Sequence, residues 1–358
     1  MANMRNYEYS KKARRKFADE KEELEKRISK NMKIVLSDGK IDEIIINELK
    51  EGIEKYSKPR KAIIVRMDNV KEIPATEHKI VITENGFVKK MKSDVKVVGN
   101  IPEGDVPMEL LNVNNRDSLI IFDSAGMVHT IQVNAIRGCD IASHGTPLSS
   151  HATIGGAKVI GVFVKDSNNN LKHSAYKGED AFFVFTTKRG LIKKTAYSSY
   201  VDLKSSVIGT IIKKGDELIS VEFVNKNTDI VTYTYKGMGL RYNLDDITET
   251  KRMSSGVKAF NVDKDDVVCN STVVTGKDEY LLIITMKGYA KKMKLDNIAR
   301  LERRSDPSPL IGLHDGDLMM FAKGVTDKDT YAVALKLARS SVFTFNVGKD
   351  VPEQFRLN

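Results

Sequence analysis

At 358 residues, with 41% apolar and 30% charged content, the chain can hold two or three folded domains and is no disordered polymer. No run reaches the roughly 18 apolar residues of a membrane span, and the N-terminal MANMRNYEYSKKARRKF has no apolar signal core, so no membrane is expected as a partner. The net charge of +10 fits a nucleic-acid partner, whereas two distant cysteines, Cys139 and Cys269, and six scattered histidines offer neither metal spacing nor a disulfide framework and read as a reduced, cytoplasmic chain.

Residues 1 to about 56 read as helical. Phe17, Leu24, Ile28, Met32 and Val35 recur at three- and four-residue steps, with charged runs between them for a solvated face. Ser37-Asp38-Gly39 breaks the pattern, a second helix is expected from Asp42 to Tyr56, and Lys58-Pro59 stops it. An amphipathic helix this long needs a surface for its stripe, either within its own hairpin or on another chain.

From Ile63 onward the pattern changes to short β-rich runs around Gly-bearing turns. One phrase recurs: His78–Thr83 turning at Gly86, Asp117–Phe122 at Gly126, Asp180–Phe185 at Gly190, Thr228–Tyr233 at Gly237 and Asp278–Ile284 at Gly288. A sixth, Asp329–Ala334, has Arg339 where the glycine should be. The glycines lie roughly 40 to 65 residues apart, a spacing of propeller blades rather than of sandwich strands. Between hairpins a second phrase returns, at Gly215-Asp216-Glu217-Leu218, Asp265-Asp266-Val267 and Gly316-Asp317-Leu318, each a turn leading into a further strand. The expectation is a mainly β fold, a disc of about six four-stranded blades over residues 63–358, preceded by a helical coiled-coil arm over residues 1–62. Closing the disc would remove the exposed strand edges of an open stack.

Counted from the turn glycine, the fourth residue on is Lys90, Thr130, Lys194, Arg241 and Lys292, and the third is Lys89, His129, Lys193, Leu240 and Lys291. Side chains alternate along a strand, so each position keeps one orientation in every blade. A cation repeated there forms either an arc that tracks phosphates or a row of strand-edge guards. The candidate DNA contacts are therefore Lys89, Lys90, His129, Lys193, Lys194, Arg241, Lys291 and Lys292. No Walker A loop, zinc spacing, nucleophile elbow or plausible catalytic tyrosine is present. Asp263, Asp265 and Asp266 look superficially like a cation site and sit in the recurring turn phrase. No catalytic or metal residue is assigned.

The repeated strand, Lys-Gly turn and cation-bearing strand resembles the C-terminal β-pinwheel of bacterial and phage type IIA topoisomerase A subunits, those of DNA gyrase and topoisomerase IV. Arg137 and His144-Gly145-Thr146-Pro147 look like the family's second blade and following linker, and Leu36-Ser37-Asp38, Glu48-Leu49 and Lys58-Pro59-Arg60-Lys61 like the returning arm of its coiled coil. The resemblance implies a segment that binds or bends double-stranded DNA and supports ATP-dependent topology changes. Its partners would be the chains carrying the winged-helix and catalytic-tyrosine domain and the ATPase B subunit. Both ATP and Mg would sit on those other parts, with no cofactor on this chain. The place implied is the bacterial nucleoid, or a host cytoplasm for a phage protein. The Gln-Arg-Arg-Gly-Gly-Lys-Gly box of gyrase is absent from Asp94–Asn100 and Leu301–Leu313, which points to relaxation or decatenation rather than supercoiling. The alternative is a propeller used for protein binding, with the coiled coil as its dimer handle.

Overall fold

The computed structural model describes residues 2–57, 74–96, 98–172, 181–203, 205–226, 228–335, 341–347 and 354–356. The chain separates into two compact units, Met1–Lys71 and Glu72–Asn358. The boundary expected at 62/63 lies outside the described residues.

The first unit has helix α1 (Ala2–Val35) and helix α2 (Asp38–Tyr56). α2 begins four residues before the expected start. Ser37 stands in extended conformation at its N-cap, and Asp38-Gly39, read above as a break, forms its first turn. The apolar stripe is present and uncovered, with Phe17, Ile28, Met32, Leu49 and Ile53 all more than half exposed.

The described residues of the second unit form five four-stranded antiparallel sheets and one two-stranded sheet. Blade one is built from Pro107–Asn114, Glu77–Thr83, Phe87–Lys92 and Thr146–Pro147, in order from inner to outer strand. Blade two follows as Val159–Lys165, Ser118–Asp123, Met127–Gln132 and Val207–Ile208. Blade three is Leu218–Asn225, Ala181–Thr187, Leu191–Ala196 and Val257–Lys258. Blade four is Val268–Val274, Asp229–Thr234, Met238–Asn243 and Ser308–Pro309, and blade five is Met319–Val325, Tyr280–Thr285, Tyr289–Lys294 and Gln354–Arg356. The sixth sheet pairs Thr330–Leu335 with Ser341–Asn346. Arg339, expected at its turn, lies outside the described residues.

In each of the five blades the outer strand arrives only after the next blade's hairpin. Phe87 pairs with Pro147, for example, although the whole hairpin Ser118–Gln132 lies between them in sequence. Every one of these blades is thus clasped by its successor, the strand exchange that defines a pinwheel. The stretch that runs from a hairpin back to the preceding blade's outer strand is called a crossover below.

The hairpins fold alike because their turns are alike. The glycine amide donates to the carbonyl three residues earlier at 3.0, 3.0, 2.9, 3.1 and 3.0 Å for Gly86, Gly126, Gly190, Gly237 and Gly288. All five glycines have φ between +79° and +82°, a region costly for other residues. The side chain three places before the glycine, Thr83, Asp123, Thr187, Thr234 or Thr285, accepts from the amide just after it.

Five apolar clusters each lie between successive sheets. Ile80 and Ile82 meet Leu119 and Ile121, and Ile120 and Phe122 meet Phe183 and Phe185. Phe182 and Val184 meet Ile230, Val231 and Tyr233 meet Leu281 and Ile283, and Leu282 and Ile284 meet Val347. Alternate residues of one strand serve opposite neighbours, so the middle strands read as unbroken apolar runs.

Candidate nucleic-acid interface

The second repeated phrase has a structural task. Asp105, Asp216, Asp266 and Asp317 each accept from the amide at the tip of their own blade's hairpin, those of Asn85, Arg189, Lys236 and Lys287, at 3.0, 3.0, 3.3 and 2.9 Å. The same carboxylate oxygen also accepts from the following amide. Asp263, Asp265 and Asp266 lie in a turn, closed by the Asp266 amide donating to the Asp263 carbonyl at 3.1 Å.

The cation row is real, but most of it faces inward. Lys89, Lys90, His129, Lys193 and Lys194 are all buried, and Arg241, Lys291 and Lys292 are half-buried. The Lys89 ammonium donates to the carbonyls of Val98, Asn100 and Ile141 at 3.1, 2.7 and 2.8 Å. Lys193 donates to those of Arg252 and Ser254 at 2.7 and 3.2 Å and to Thr210 Oγ1 at 3.3 Å. Lys291 reaches the Leu310 carbonyl at 2.8 Å.

The fourth-position cations are more regular. Lys90 donates to the Val133 carbonyl at 3.0 Å, Lys194 to that of Leu244 at 3.1 Å, Arg241 to that of Leu295 at 2.8 Å and Lys292 to that of Val347 at 3.3 Å. In the first three the carbonyl opens the 3-10 turn at the head of the next blade's crossover. Blade two has Thr130 instead, its hydroxyl without a partner among the described residues, and Lys165 at the end of the inner strand supplies the strut to the Val201 carbonyl of blade three. That junction is further packed by Phe122, Phe163, Phe183, Phe185 and Tyr200, whose rings meet edge-on or tilted. His129 spans Ser206 Oγ at 2.8 Å and Asp123 at 3.1 Å.

The exposed arc expected from the sequence is therefore corrected to a set of inter-blade struts. The reason lies in the strand exchange: the neighbour's crossover passes over the strand end and leaves carbonyls that no ladder pairs, and ammonium groups are the donors that satisfy them. Burial pushes Lys89, Lys90 and Lys194 below the usual lysine range, and Lys193 down to about 8. Arg241 is also held by Asp229 at 2.9 Å, and Lys292 by Asp327 at 2.8 Å over the Tyr280 ring.

The crossovers carry cations that reach solvent, as do turns and strand ends such as those at Lys92, Lys188, Lys213, Lys264 and Lys287. Arg137, Lys251, Lys258, Arg300 and Arg304 are exposed, and Arg252 and Arg303 are half-buried. Parallel bridges place the crossovers alike over blades one, three and four, with Lys90 beside Gly138, Lys194 beside Glu249 and Arg241 beside Arg300. A sequence signal for them existed. Arg137 and Arg300 stand eleven and twelve residues after their turn glycines, a distance not compared across copies. The crossovers also carry Asp140, Asp245, Asp246, Glu249, Glu302 and Asp306, so this rim is of mixed charge. Residues 63–358 hold 41 Lys and Arg against 36 Asp and Glu, and residues 1–62 hold 17 against 12, so half of the surplus belongs to the first 62 residues.

Comparison with known proteins places this architecture. Residues 80–94, 181–225, 229–269 and 279–323 match the family model described as the DNA gyrase C-terminal domain, beta-propeller. The DNA gyrase A subunit of Haloquadratum walsbyi is 25% identical over 301 residues, covering 80% of this chain and 35% of that protein. The chain is homologous to gyrase A and topoisomerase IV A subunits. The DNA topoisomerase 4 A subunit of Staphylococcus aureus is 27% identical over 302 residues, covering 80% of this chain and 36% of that protein. The chain thus spans about a third of the length of these relatives. The crystal structure of the C-terminal domain of DNA topoisomerase IV shares the fold with a TM-score of 0.64 at 19% identity, covering 78% of this chain and 86% of that one. The structure of the DNA gyrase A C-terminal domain gives 0.58 at 20%, covering 78% and 94%. Blade two's hairpin falls outside the matched segments, and it is the copy in which Asp123 replaces the turn threonine and His129-Thr130 replace the cations.

Proposed function

We propose that this chain is the DNA-holding C-terminal portion of a type IIA topoisomerase A subunit, gripping or bending a duplex while other chains cut, reseal and hydrolyse ATP. The observation that carries the reading is the strand-exchanged pinwheel in a chain homologous to gyrase A and topoisomerase IV A subunits. Phosphates are held by the crossover cations Arg137, Lys251, Arg252, Arg300 and Arg304, which suits sequence-tolerant, salt-sensitive binding. The mixed charge of the rim and the absent gyrase box favour modest bending, and hence relaxation or decatenation over supercoiling. The uncovered stripes of α1 and α2 fit an arm on the chain that supplies the catalytic tyrosine, with the ATPase chain completing the complex. No helix among the described residues is long and apolar enough to cross a membrane, and the site of action proposed is the cytoplasm.

Fluorescence anisotropy of the full chain with linear duplex tests this. Binding should weaken steeply with salt, and changing Lys251, Arg252, Arg300 and Arg304 to Glu should lower affinity at least tenfold. A chain that binds no duplex at low salt, or a rim variant that binds like the parent, refutes the reading.

A further inference from the structure

Residues 1–62 hold half of the positive surplus, and within α1 the cations are concentrated in one stretch. Lys11, Lys12, Arg14, Arg15 and Lys16 fall within six residues of α1, all exposed, with the next acidic residue at Asp19. At 100° per residue these five side chains fan over an arc of about 200°, leaving Ser10, Ala13 and Phe17 on the remaining side. The next turns of the helix differ. Lys21 pairs with Glu25 at 3.7 Å and Lys26 with Glu22 at 2.7 Å, so cations there are neutralised by neighbours one turn away. None of the five has an ion-pair partner among the described residues.

We propose that residues 11–16 of α1 form a second duplex-binding surface, separate from the pinwheel rim, that contacts DNA phosphates through the helix side. Clustered like charges on one helix repel each other, at a few tenths of a kcal/mol per i,i+4 pair, and Lys11/Arg15 and Lys12/Lys16 are two such pairs. A polyanion removes that repulsion. Duplex DNA fits best among polyanions because it presents one charge per about 1.7 Å, and six helical residues span about 9 Å, so several phosphates lie within reach of five long side chains. A fan of about 200° lets side chains reach phosphates on both sides of a groove, as in helices that lie within one. An anionic membrane fits worse: within residues 10–17 the opposite side offers Phe17 as its single large apolar residue, and the stripe that continues it through Leu24, Ile28, Met32 and Val35 is a narrow seam, whereas interfacial helices need a broad apolar face.

This rests on the reading that the chain binds DNA, and the test separates the two. Lys11, Lys12, Arg14, Arg15 and Lys16 are changed together to Gln, a good helix former, in the full chain, with helicity checked by circular dichroism. Binding to a duplex of about 30 base pairs is measured from low to moderate salt, with vesicles of phosphatidylserine and phosphatidylcholine as a second probe. The expected result is a shallower salt dependence, by about 3 to 4 in the slope of log K against log salt, and an affinity loss of at least tenfold at low salt. A set exchanging Lys for Arg and Arg for Lys should bind like the parent. An unchanged slope and affinity in the Gln variant overturns this proposal while leaving the pinwheel reading intact. Loss of vesicle binding with unchanged duplex binding overturns it in favour of a membrane contact. A parent chain that binds no duplex at all sinks the parent reading instead.

Discussion

Lys89→Met is the sharpest probe of the strut geometry. The substitution keeps the apolar stem, so the packing around a fully buried side chain is nearly preserved, and removes the ammonium. Three carbonyls lose a donor. That of Ile141 keeps the Asn100 amide at 3.0 Å, so the loss falls mainly on Val98 and Asn100. An orphaned buried acceptor costs about 1–3 kcal/mol, and relief of the ammonium's own desolvation offsets part of the sum. The net expectation is a destabilisation of about 2–4 kcal/mol, or a Tm lower by about 5–10 °C for a unit of this size. Urea unfolding of the full chain reads it, with Lys92→Met, exposed three residues further on at the strand end, as a control expected within about 0.5 kcal/mol of the parent. If Lys89→Met is as stable as Lys92→Met, the buried cations do not hold the blades and the strut account fails.

Burial pushes the half-buried Glu222 carboxyl up to about 7, with Lys323 opposing the shift and Glu109 adding to it. The folded state then holds this proton more tightly than the unfolded chain, so the contribution is fully present below about pH 4.3 and is lost as pH rises through 7. Glu222→Gln should flatten stability between pH 5 and 8 and raise it at pH 8 by about 1–3 kcal/mol, and a stability curve against pH that matches the parent's contradicts this. Asp317→Ala removes the acceptor for the Lys287 and Leu318 amides, both at 2.9 Å, and should cost about 1–3 kcal/mol. Hydrogen exchange at those two amides should accelerate while that of Leu282 stays near the global rate, and uniform exchange would show that the carboxylate does not cap the turn.

The blades were legible in the sequence because each hairpin rewrites one local rule, an apolar run, an oxygen-bearing residue and a glycine three places on. The exchange of outer strands was not, since Thr146–Pro147, Val207–Ile208, Val257–Lys258 and Ser308–Pro309 are two residues each and carry no periodicity. That gap explains why the burial of the cation row was not foreseen. Lys193 sits at a strand end that looks solvated until Arg252 and Ser254, some sixty residues on, close over it. The acidic turn phrase was legible as a turn, but its partner amide lies roughly thirty residues earlier, beyond the reach of local pattern. In the helical unit, spacing found the stripes, and α2 starts ahead of the expected break because the Ser37 carbonyl accepts from the Lys40 and Ile41 amides and draws Asp38-Gly39 into the first turn.

The central claim is that a duplex runs over the crossovers and not along the buried cations. Disulfide trapping with a thiol-tethered duplex tests it most directly, in a chain carrying Cys139→Ser. Cys269 is changed to Ser as well, since it stands half-buried, although burial pushes its thiol up to about 12. Glu249→Cys and Glu302→Cys, both exposed on crossovers, should trap the duplex in high yield, and Lys264→Cys, exposed on the turn phrase of blade four, should not. Equal trapping at all three positions, or trapping at position 264 alone, would contradict the account.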